Sequence, residues 1–172
     1  MTEGFTPGGR RRRSLAPEEE ALMSPPFIGV TLREVAAGFH RESGEGLPVP
    51  LAFVAVPLVL TAFTRDHLPN RRNSSLAAWV QEHARLRLTF ATSAHALVPA
   101  VRRGLIFGIN KSLLDLEGAG LRARRLRRGS KERIEANTEE VRVILGKALF
   151  VGRWFVHAGS PDTVMTLLGV RP

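Results

Sequence analysis

Between Gly46 and Thr64 the chain runs for nineteen residues without a charged side chain. On length alone this approaches the ~20 apolar residues that a bilayer-crossing helix needs. Pro48, Pro50 and Pro57 divide it, however. A helix-interior proline donates no amide proton and clashes with the carbonyl four residues back, so no unbroken helix of spanning length is left and no membrane is expected. The other home for so apolar a stretch is the centre of a protein core. Leu51 to Phe63 therefore reads as a fully buried element, a helix kinked or restarted at Pro57, with a strand as the alternative over residues 51–60. Such an element needs amphipathic neighbours to enclose it.

Those neighbours are legible from their period. Ile28, Leu32, Val35 and Phe39 recur at helical spacing until Gly44 and Gly46 end the pattern. Ser74 and Ser75 offer an N-cap to a short helix at 76–83. Leu86, Phe90, Ala94, Leu97, Val101 and Leu105 form one stripe, with Arg85, Arg87, Arg102 and Arg103 off it and a kink or restart expected at Pro99. After Gly108 the period shortens. Leu114 to Glu117 and Leu121 to Arg124 alternate around Gly118-Ala119-Gly120, a β-hairpin pattern. Asn137 with Glu140 suggests the start of a helix carrying Val141, Ile144, Leu145, Ala148, Val151 and Phe155, closed by Gly159. Ser160-Pro161 opens a last short helix. The expected class is mainly α (α+β): a compact helical domain with a small β-hairpin, a single domain over 25–172, which suits 172 residues. Residues 1–24 show no sustained apolar period and are expected to form a disordered tail. Arg10 to Arg13 resemble the start of an export signal, but three glutamates follow where an apolar run should stand.

Charge is concentrated. Arg122, Arg124, Arg125, Arg127, Arg128, Lys131 and Arg133 face only Glu132 between Leu121 and Ile134, a net +6 of the chain's +9. Helices followed by a hairpin with arginines on one strand outline a winged helix, in which a wing meets phosphate and a helix enters the groove. The same strip could equally serve as a docking site for an acidic partner or stand as a solvated loop. Few aromatics interleave with these arginines, which argues against single-strand stacking.

Catalytic chemistry finds few residues to work with. The absence of cysteine removes thiolate metal sites, disulfides and cysteine nucleophiles, and aspartate occurs only at positions 66, 115 and 162. Lys111-Ser112 lacks the glycine-rich approach of a phosphate loop. His40, His67, His83, His95 and His157 never take the spacing of a zinc pair, and no G-x-S-x-G elbow is present. No enzymatic activity, cofactor or metal is predicted.

The blocks Phe53 to Leu60, Thr64-Arg65-Asp66-His67-Leu68-Pro69, Ser75 to Trp79, Gly152-Arg153-Trp154-Phe155 and Leu168 to Pro172 resemble the middle component of bacterial three-component ABC-ATPase systems, a group that includes Lamassu-type antiphage defence. The resemblance spans about 27–172 and lies in the order of the blocks, with no recognised counterpart for Met1 to Ser24. It implies a small non-catalytic, winged-helix-like subunit of the cytoplasm that joins a large SMC-like ABC ATPase to an effector encoded alongside, with double-stranded DNA as a further contact. Within the blocks, Arg65 and Asp66 are expected to pair or cap a turn, Trp79 and Trp154 to anchor the core or a partner face, and Arg171 to be fixed near the end of the chain. The competing expectation is a free-standing winged-helix DNA-binding regulator.

Overall fold

The computed structural model describes residues 21–126 and 138–170. The chain begins with α1 (Pro25–Ser43) and passes through a two-residue strand, β1 (Leu47–Pro48), into α2 (Val49–Leu60). Three further helices follow, α3 (Ala62–Asp66), α4 (Leu76–Glu82) and the long α5 (Ala84–Asn110). A hairpin of β2 (Leu114–Glu117) and β3 (Gly120–Ala123) precedes α6 (Glu139–Val156) and α7 (Pro161–Leu167). The domain is mainly α, with one small antiparallel sheet in the order β1-β3-β2.

The apolar stretch that dominates the sequence is a helix. In α2 nine residues, Leu51, Ala52 and Val54 to Leu60, are buried, so this helix hides nearly its whole circumference. Each fully buried aliphatic side chain contributes about 1.5–3 kcal/mol relative to exposure. Pro57 lies inside α2 without restarting it; the break falls at Thr61, whose backbone is extended. That break solves a problem particular to a buried helix, whose last carbonyls cannot turn to water. It turns the chain so that α3 folds back: Thr64 Oγ1 donates to Leu58 O at 2.7 Å, and Arg65 Nη1 donates to Val59 O at 3.2 Å. No helix among the described residues is long and apolar enough to cross a membrane.

α1 packs against both α5 and α6 and does so through glycine. A Cβ at Gly38 would stand 2.1 Å from Leu149 O, and one at Gly152 would stand 2.0 Å from Val35 O, so backbone meets backbone at the α1–α6 crossing. Gly104 of α5 plays the same part under Ile28, with 2.3 Å to its Cγ2. α1 ends at Gly44, which takes φ 79 and donates its amide to His40 O at 2.8 Å.

The remaining elements follow local rules. Pro99 sits within the continuous α5. Both it and His95 are on the exposed face, where water can reach the carbonyl that loses its partner. Glu117 pairs with Gly120, leaving Gly118-Ala119 as a two-residue turn with Gly118 at φ 58. Ser75 and Ser160 cap α4 and α7, their hydroxyls accepting from the amides of Ala78 and Thr163. Asn137 lies outside the described residues; Thr138 holds the cap position of α6, and its side chain makes no capping bond. Leu22 and Met23 pack, partly buried, against the core.

Candidate interaction surfaces

Of the residues marked out by the block pattern, Trp79, Trp154 and Arg65 occupy the interior. Trp154 is fully buried and Trp79 is 4% exposed, and their rings meet edge to face with centroids 5.4 Å apart. Each indole N–H is used. Trp79 Nε1 donates to His67 O at 2.6 Å and Trp154 Nε1 to Ser74 O at 2.7 Å, so the pair pins both ends of the 67–74 loop. Arg65 is buried with its guanidinium at the C-terminal end of α2, where a cation complements the helix dipole. It also approaches Glu140 Oε1 at 3.7 Å and Asp66 Oδ1 at 3.9 Å, while Asp66 itself is exposed. Arg171 lies outside the described residues.

The basic strip divides. Arg122 Nε lies 2.8 Å from Glu117 Oε2 and Arg124 Nε 3.3 Å from Asp115 Oδ2, two diagonal cross-strand ion pairs on the hairpin. Their charge is therefore partly compensated where the sequence showed only an excess. Arg125 follows the hairpin and is exposed. Arg127, Arg128, Lys131 and Arg133 lie outside the described residues.

Two charged clusters span α1 and α6. In the first, Glu42 accepts from Arg153 Nε at 2.9 Å on one carboxylate oxygen. Its other oxygen meets His157 Nε2 at 3.0 Å and Arg72 Nε at 3.1 Å. The hydrogen bonds from His157 and Arg153, with the charge of Arg72 beside them, hold the Glu42 carboxyl below its ordinary range despite the opposing effect of burial. One carboxylate thus ties the end of α1, the 67–74 loop and the end of α6 together. The second cluster lines a cleft of about 840 Å³ whose walls include Arg33 and Arg41 of α1, Arg142 of α6 and Arg125. Among the described residues Glu34 is the one carboxylate on the lining. It pairs with Arg33, which also donates from Nε to Arg124 O at 3.1 Å. Arg142 meets Glu139 at 2.6 Å, and Arg41 pairs with no carboxylate among the described residues.

Neither Glu42 nor the Arg33–Arg41–Arg142 set was singled out by sequence reasoning. The one signal available was Arg33, Ala37 and Arg41 at four-residue spacing, a second face of α1 beside its apolar stripe. No group of three His, Cys, Asp or Glu side chains suited to a metal is present among the described residues.

A small helical domain with one three-stranded sheet, two internal tryptophan anchors and its polar side chains gathered into ion pairs and an arginine-lined cleft defines the class. The chain belongs to the ABC-three component (ABC-3C) system Middle Component 3 family, whose model matches residues 13–172. That span begins N-terminal to the about 27–172 over which the blocks are recognisable. No curated protein and no solved structure matches the chain.

Proposed function

We propose that this chain is a non-catalytic adaptor subunit that links an SMC-like ABC ATPase to an effector encoded alongside, in antiphage defence of the Lamassu type and in the cytoplasm. Residues 25–172 act as one winged-helix-like domain. The observation that carries the reading is the family match over 13–172, which makes the chain a middle component and so implies partner components. The arginine-rich surface supports it in a second way, since exposed cations at Arg124, Arg125 and Arg41 suit an acidic partner or DNA phosphate. The test is affinity purification of the tagged chain co-expressed with its genomic neighbours. A large coiled-coil ATPase in stable ratio, with ATP hydrolysis in the eluate, is the expected result; recovery of the chain alone would sink the subunit reading.

The order helix, strand, helices, hairpin, with β1 beside β3, favours a second reading as a winged-helix DNA-binding regulator. It requires tight duplex binding by the purified chain, lost on changing Arg124, Arg125, Arg127 and Arg128 to glutamine. With about five phosphates neutralised, log K would fall against log salt with a slope of roughly −4 to −5.

A further inference from the structure

The cleft between α1 and α6 combines two kinds of unmet demand. Among the described residues its four arginines outnumber the two carboxylates they meet, Glu34 and Glu139, and the side chains of Leu126, Leu145 and Leu149, with Ala37, are only half-buried along its walls. Its volume of about 840 Å³ falls within the roughly 300–1,000 Å³ typical of ligand clefts. A phosphate backbone would satisfy the arginines but leave the leucines wet. A polypeptide segment that carries both carboxylates and apolar side chains satisfies both, because each guanidinium can hold a carboxylate through two parallel hydrogen bonds.

We infer that this cleft receives a short acidic, apolar segment of a partner polypeptide, with Arg41 and Arg142 holding its carboxylates and Leu145 and Leu149 taking its apolar side chains. The inference rests on the subunit reading, since the segment belongs to another component of the system. It places a contact on α1 and α6, beside Arg125 and Leu126 where the chain leaves the hairpin. Such a cleft is more selective than bulk electrostatics, because the apolar walls select among anions.

The test uses the full chain and a fluorescein-labelled peptide that alternates glutamate and leucine, read by fluorescence anisotropy. Two charge-matched double variants are compared, Arg41→Glu with Arg142→Glu in the cleft, and Arg102→Glu with Arg103→Glu on the exposed face of α5. The cleft variant should bind about tenfold more weakly or worse, as should a glutamine-for-glutamate peptide on the native chain, while the α5 variant stays close to native. A short DNA duplex should fail to displace the peptide. Equal losses in both variants, no binding to the native chain, or displacement by duplex would each overturn the inference. Circular dichroism confirms folding, and Arg41→Gln with Arg142→Gln repeats the comparison more mildly if charge reversal unfolds the chain. In co-expression, the cleft variant should lose one component that the native chain retains. If the native complex assembles and the peptide does not bind, the cleft inference alone falls. If the native chain recovers no component, the subunit reading falls first.

Discussion

The same two helices, α1 and α6, carry one charged cluster that is closed and one that is open. Around Glu42 a single carboxylate is shared by Arg72 of the 67–74 loop and by Arg153 and His157 at the end of α6, and every polar atom of that carboxylate has a partner. Along the cleft, among the described residues, Arg33 pairs with Glu34 and Arg142 with Glu139, while Arg41 meets no carboxylate. A cluster whose hydrogen bonds are met within the chain ties elements together; one in which the exposed Arg41 stands beside half-buried leucines is a surface with something left to bind. The distinction lies in partner geometry and is invisible to a count of arginines.

The largest effect should come from the crossing that both clusters share. Gly152→Ala puts a methyl carbon where Val35 O stands, and a carbonyl of a packed helix cannot swing away as a flexible side chain would. We expect a loss of about 3 kcal/mol or more, read as a lower midpoint of denaturant unfolding, with both clusters disrupted together. A near-native midpoint would mean that the two helices can part and that neither cluster depends on their contact.

Trp154→Phe should come next. It removes the N–H that holds Ser74 O while keeping most of the buried ring, so roughly 1–2 kcal/mol is at stake, chiefly from the carbonyl left unpaired. Because Ser74 ends the loop that delivers Arg72, this change should also loosen Arg72 from Glu42. Hydrogen exchange in the 67–74 loop would show it, while the cleft should be untouched.

A smaller and more selective effect is written in pH. The Glu42 carboxyl is held below its ordinary value of 4.5, first by His157 and then by Arg153, so the folded chain binds that proton less readily than the unfolded chain. Its stabilisation is therefore fully present above the unfolded value and is lost as pH falls through the lower folded value. The native chain should lose thermal stability below about pH 4.5 more steeply than Glu42→Gln, the other carboxylates being common to both. Parallel curves for the two proteins would show that the cluster holds nothing together.

Much of this fold is readable from period and punctuation. The stripes at 28–39 and 86–105, the caps at Ser75 and Ser160, and the Gly118 turn depend on residues within a few positions of one another, and local rules capture them. The break in the apolar stretch was expected at Pro57 and falls at Thr61, because it is set by where Thr64 and Arg65 can reach the carbonyls of α2. Proline marks where a helix is weakened, whereas the unmet carbonyls decide where it stops. The site was less legible still. Glu42 meets residues 111 and 115 positions away, and the glycines of the α1–α6 crossing look in sequence like any glycine within a helix. The hairpin arginines were conspicuous as a run, yet Asp115 and Glu117 neutralise two of them across the strands, a pairing that exists only once the register is set.

The smallest expected effect on stability is the one that separates the two clusters most sharply. Replacing Arg41 and Arg142 by glutamate removes the exposed pair with Glu139 and otherwise touches groups that face solvent. Exposed pairs contribute about 0–1 kcal/mol, so the unfolding midpoint should move by no more than about 0.5 kcal/mol in either direction. Relief of repulsion among four neighbouring cations could even raise it, most visibly at low salt, where screening is weakest. A chain that keeps its stability and loses its acidic peptide would have in that cleft a surface maintained for a partner. A chain that unfolds instead would show the cleft arginines to be as structural as Glu42, and the difference between the two clusters would disappear.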